Sequence, residues 1–137
     1  MQPRPDVIRL EMPANLKYLS TLASCVQEVA KQTAEDKDML YEIDLAVGEL
    51  YSNIIIHACK NDPERRITII LYVFPQQFIV EFYDTGLAFN FPVVIPPVID
   101  PPQERGMGLF LIHHLMDEVS YKPHDKYNLW RLVKKLS

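Results

Sequence analysis

Glu49-Leu50-Tyr51-Ser52-Asn53-Ile54-Ile55-Ile56-His57-Ala58 sits in a stretch, residues 39–60, where Ile43, Ala46, Val47, Leu50, Ile54, Ile55 and Ala58 recur at three- and four-residue steps. That spacing predicts a long helix with one core face. Glu49, Asn53 and His57 occupy a single row on it, at successive i, i+4 steps. Tyr51, Ile54 and Ile56 flank the row and make the helix apolar around most of its circumference, which places these polar groups at a cleft rather than on an open face. A carboxylate one turn from a carboxamide is chemically useful. The amide oxygen of Asn53 can coordinate Mg²⁺ bridging phosphates, and Glu49 can accept the proton of an attacking hydroxyl. Taken alone, the pair also fits a solvated helix face.

Outward from this helix, the chain divides cleanly. Residues 7–12 nearly alternate apolar and charged side chains and stop at Pro13, as a first strand would. Asn15 can cap a helix over 15–33, with Leu16, Leu19, Leu22, Ala23, Val26, Val29 and Ala30 as its buried stripe. On the other side, Asn61-Asp62-Pro63 ends the long helix, and the β-branched and aromatic runs 66–74 and 78–83 read as a hairpin about Pro75-Gln76-Gln77. Residues 87–105 carry Pro92, Pro96, Pro97, Pro101 and Pro102, too many for a regular element, and read as a lid. A third helix is expected over 106–116, then strands over 118–122 and 128–133 that turn at Asp125-Lys126-Tyr127. The order implies one domain over residues 1–137, an α/β (α+β) two-layer sandwich. Its sheet would be mixed, mostly antiparallel, with helices on one face.

Two further constellations carry chemistry. Asp84-Thr85-Gly86 ends a strand, where Asp84 can accept a hydrogen bond from the exocyclic amine of adenine and Gly86 lets the backbone close on the base. An ordinary turn would use the same residues. Arg105-Gly106-Met107-Gly108 stands at the mouth of the third helix, where backbone N–H groups and the helix dipole attract an anion such as phosphate, and Arg105 can add its charge. The chain has only four glycines, and three of them, Gly86, Gly106 and Gly108, fall in these two segments. Backbone freedom is concentrated where a nucleotide would need it.

Composition narrows the rest. Of 137 residues, 48% are hydrophobic and 23% charged, as in an ordinary soluble globule, and no apolar run approaches the roughly 20 residues of a membrane helix. No secretory signal opens the chain, so a cytoplasmic protein without membrane contact is expected. A net charge of −4 disfavours nucleic acid as the main partner. Cys25 and Cys59 read as two reduced core thiols. His113-His114 lack metal-ligand spacing, and no G-x-S-x-G surrounds Ser52.

Glu49-Leu50-Tyr51-Ser52-Asn53, continuing to His57-Ala58, resembles the N-box of the GHKL ATPases. Asp84-Thr85-Gly86 is similar to their D-x-G box, and Arg105-Gly106-Met107-Gly108-Leu109 to their glycine box after the lid. Spacing and lid length are most similar to the anti-sigma-factor serine/threonine kinases of the RsbW type, and the likeness extends through Asn128-Leu129-Trp130-Arg131-Leu132-Val133-Lys134. The sequence departs from that pattern at Met107, where many relatives carry a second glycine, and in its proline-rich lid. The resemblance implies a Bergerat-type fold that binds ATP and Mg²⁺ and phosphorylates a STAS-type anti-sigma factor antagonist while sequestering a sigma factor, and it suggests a homodimer. By position Glu49 would be the general base, Asn53 the Mg²⁺ ligand and Asp84 the adenine reader, with His57, Gly86, Arg105, Gly106, Met107, Gly108 and Leu109 completing the nucleotide site. The alternative is a non-catalytic module that binds nucleotide only to shape a surface for a protein partner.

Overall fold

In a computed structural model of the chain, the described residues are 4–87 and 104–136, those of 104–108 by backbone alone. Five strands, β1 (Asp6–Pro13), β2 (Arg66–Val73), β3 (Gln77–Asp84), β4 (Glu118–Pro123) and β5 (Asn128–Lys135), form one sheet in the order β1-β2-β3-β5-β4. Helices α1 (Leu19–Ala30), α2 (Lys37–Asn53) and α3 (Glu104–Leu115) complete the two-layer sandwich. Every pairing is antiparallel, where a mixed sheet was expected. The reason is directional. Two helical passes, α1 then α2, return the chain to β2 opposite in sense to β1. The single pass through α3 makes β3 and β4 parallel, but β5 inserts between them.

Alternation along each strand sends one set of side chains to the helices. Ile67, Ile69 and Leu71 of β2, Phe78, Val80 and Phe82 of β3, and Trp130 and Leu132 of β5 join Leu22, Val26, Ile43, Leu50, Tyr51, Ile54 and Ile112 in one buried cluster. Each large apolar side chain so buried contributes roughly 1.5–3 kcal/mol. Among the described residues no helix covers the other sheet face. There a groove lined by Gln77, Ile79, Glu118, Ser120, Arg131 and Val133 opens, away from the residues with site chemistry.

Local signals explain the helix ends. Asn15 caps a short 3-10 turn, Leu16–Tyr18, accepting from the Lys17 N–H at 3.0 Å, and α1 proper starts only at Leu19. Asp36 caps α2 by accepting from the N–H groups of Asp38 and Met39 at 2.8 and 3.4 Å. At its far end α2 widens into a π turn, Ile54–Ala58, and stops where Lys60 and Asn61 take positive φ of 53° and 59°. The Tyr51 hydroxyl donates to the carbonyls of Pro13 and Asn15 at 2.7 and 3.2 Å, fixing α2 to the end of β1. Ser52 donates to Gly48 O at 2.9 Å, a bond within its own helix. Cys59 is a core thiol, and burial pushes it up to about 11. Cys25 is exposed, contrary to the sequence expectation, because it falls beside rather than on the α1 stripe of Leu22, Val26 and Ala30. Among the described residues no helix is long and apolar enough to cross a membrane.

Lys134 ties three elements together. Its ammonium donates to Glu42 Oε2 of α2 at 2.8 Å and to the Leu115 carbonyl at the end of α3 at 2.6 Å. Lys134 is 7% exposed, so its removal strands a carbonyl that the helix cannot satisfy itself. Lys134→Met should cost about 2 kcal/mol, the partial exposure of Glu42 moderating the loss. Urea unfolding checks this, and an unchanged midpoint contradicts it.

Candidate nucleotide site

Glu49 and Asn53 lie one turn apart on the last regular turns of α2, both half-buried. Glu42, a heptad before Glu49, pairs with Lys134, which places this stripe on the side of α2 that packs against α3. The Asn53 amide nitrogen is buried and has no hydrogen-bond partner among the described residues. An orphaned buried donor is costly unless an acceptor arrives. A phosphate oxygen is such an acceptor, and the amide oxygen beside it is a hard ligand suited to Mg²⁺. His57 was expected in the same row. It falls in the π turn, whose bonds close on i+5, as in Cys59 N–H to Ile54 O at 2.8 Å, rather than in the regular α-helix on which the i, i+4 row was drawn.

The π turn does position the second constellation. Its last carbonyl, Ala58 O, accepts from the Leu87 N–H at 2.8 Å. That bond lays the turn after β3 against the end of α2. Gly86 packs so closely that a Cβ there would lie 2.4 Å from Ala58 O. Asp84, 1% exposed, accepts through Oδ1 from the Gly86 N–H at 2.9 Å and from Asn128 Nδ2 at 3.0 Å. Its Oδ2 is buried with no partner among the described residues. Arg65 reaches over the turn and donates to Thr85 O at 2.6 Å. The bare Oδ2 is an acceptor shaped for an incoming N–H, as the amine of adenine would supply.

Burial raises the Asp84 carboxyl above its ordinary 3.8, against the opposing pull of Asn128, Gly86 and Arg65. A raised folded value means that the native state holds the extra proton between 3.8 and that value, so ligand-free stability falls as pH rises through the window. Asp84→Asn should escape this cost. Its urea midpoint should gain on the wild type as pH is raised from 4, and a constant difference would contradict the assignment.

The third constellation is placed by backbone alone. α3 begins at Glu104, two residues before the expected start, so Arg105, Gly106, Met107 and Gly108 form its opening turns rather than a loop before them. The first N–H groups of any helix lack intrahelical partners, and those of α3 fall in this segment. Leu109 is half-buried and packs on the core, holding the helix start against the sheet layer. Most of the expected lid, 88–103, and the side chains of 104–108 lie outside the described residues. Asn128 had no role assigned from sequence. Its signal was an amide on the inward-facing set of β5, alternating with Trp130 and Leu132.

Comparison with known proteins accords with this fold. The histidine kinase-like ATPase domain matches residues 12–134, and the chain belongs to that family. Within it, the chain is similar to the serine-protein kinase RsbW of Bacillus subtilis (strain 168), 29% identical over 132 residues that cover 90% of this chain and 82% of the relative. It is similar also to RsbW of Bacillus mycoides (strain KBAB4), 28% identical over 134 residues, 92% of this chain and 82% of the relative. The RsbW-type resemblance read from the three boxes is thus borne out. Among solved structures, the RsbU and RsbW domains of a Mycobacterium tuberculosis protein superpose with a TM-score of 0.64 at 14% identity, over 96% of this chain and 32% of that one. The histidine kinase domain of a blue-light activated kinase of Erythrobacter litoralis gives 0.54 at 19% identity, over 90% of this chain and 61% of that one. These two likenesses establish the fold.

Proposed function

We propose that this protein is an ATP-dependent serine/threonine protein kinase and anti-sigma factor, which phosphorylates a STAS-type antagonist in a cytoplasmic partner-switching system and sequesters a sigma factor as a homodimer. The observation that carries the reading is that Asp84 Oδ2 and Asn53 Nδ2 are both buried and unmatched among the described residues. The first asks for a donor and the second for an acceptor, as adenine and phosphate provide.

Bound Mg²⁺ with ATP supplies the transferable phosphoryl group and the neutralisation of its charge. Asp84 orients the base, and Asn53 would hold the metal through its amide oxygen and a phosphate oxygen through its amide nitrogen. The α3 start, Arg105 to Gly108, directs backbone N–H groups at the phosphates. Glu49 takes the proton of a serine or threonine hydroxyl as its oxygen attacks the γ-phosphorus, and ADP leaves with the electron pair of the broken bond. Gly86 and Leu109 shape the walls, and His57 completes the site from the π turn that follows α2.

Incubation with γ-labelled ATP, Mg²⁺ and a STAS-type antagonist tests the reading. Label on a serine or threonine of the antagonist supports the kinase. Nucleotide binding without transfer to any such partner would instead establish the regulatory module.

A further inference from the structure

The two oxygens of Asp84 are in unlike circumstances. Oδ1 is filled by two donors, the Gly86 N–H and Asn128 Nδ2, while Oδ2 is buried and open. Asn128 is 3% exposed, and its Nδ2 donates also to Gly86 O at 3.0 Å, so both amide hydrogens are committed and the side chain cannot swing away. One carboxamide from β5 thus braces both the aspartate of β3 and the turn that follows it.

Resting on the adenine-reading role proposed above, we infer that Asn128 sets the selectivity of this site for a 6-amino purine. Its donor on Oδ1 keeps Asp84 a carboxylate with one open atom, and that atom can accept a hydrogen bond but not donate one. The charged groups around Asp84 cannot do this in its place. Arg65 donates to Thr85 and favours the Asp84 carboxylate only at a distance, less than Asn128 does, Cys59 is a neutral thiol, and the Gly86 N–H is one bond set against the burial of a whole carboxylate. Without Asn128 the neutral acid gains, and its O–H can serve a ring nitrogen as readily as its carbonyl serves an amine.

The test compares ATP with purine riboside 5′-triphosphate, which lacks only the 6-amino group, by calorimetry with Mg²⁺ from pH 6 to 8. The wild type should prefer ATP by roughly 10- to 100-fold, the yield of a charge-assisted hydrogen bond. Asn128→Leu should shrink the preference to about threefold or less at the acid end, with partial recovery as pH rises and Asp84 ionises. Asn128→Ala, which removes the donor without adding bulk, gives the same loss and serves if the leucine variant does not fold. Weaker binding of both nucleotides by one common factor, with the wild-type preference kept, would show Asn128 to be merely structural and overturn the inference alone. A wild type that binds neither nucleotide, or both equally, would overturn the adenine reading and this inference with it.

Discussion

Glu49→Gln is expected to lower phosphoryl transfer to the antagonist by about 10²- to 10⁴-fold, the usual contribution of a positioned general base, while Mg·ATP affinity stays within about threefold. The substitution keeps the size and polarity of the side chain and removes only its ability to take a proton. Glu49 lies within α2, a full turn before Asn53 and further from the Ala58 end that meets the Asp84 turn, so base and metal contacts should survive. Initial rates at saturating ATP, beside calorimetric affinities, separate the two effects. Transfer at the wild-type rate would remove Glu49 from the chemistry.

Of the two glycines whose surroundings are described, Gly86 is the one where an added methyl, Gly86→Ala, should do the greater damage. The added Cβ would meet Ala58 O at 2.4 Å, Ala58 C at 2.5 Å and Ala58 Cβ at 2.9 Å, none of which is the far end of a flexible side chain. Relief requires the turn to lift from α2. That breaks the Leu87–Ala58 bond and disturbs the bonds that Gly86 makes with Asp84 and Asn128. We expect a loss of about 3 kcal/mol, at the upper end for overpacking, or on the order of 10 °C in Tm for a chain of this size. ATP binding should fail in the same variant even where it remains folded. An unchanged Tm would mean that Gly86 is an ordinary turn glycine.

Much of this was legible in the residues because periodicity reports faces. The stripe through Ile43, Val47, Leu50 and Ile54 gave α2 its core side and left Glu49 and Asn53 beside it. Asp84 stood out as an acid closing an apolar strand. Less visible were features that depend on which elements become neighbours. Ile54, Ile55 and Ala58 were legible as core positions and are all buried, but they are carried on a π turn, which regular i, i+4 spacing does not announce. The insertion of β5 between β3 and β4 follows from sheet pairing, and only that pairing sets Asn128 opposite Asp84. The early start of α3 reflects backbone hydrogen bonding that glycine-centred reading placed two residues too late.

Amide hydrogen exchange of the ligand-free chain, against the same chain with saturating Mg·ATP, tests most directly whether three remote stretches share one ligand. Added protection should appear together around residues 49–58, 84–87 and 104–109, and Asp84→Asn should erase it from all three. Protection in none of them, or in one alone while the others exchange as before, would contradict a common triphosphate site.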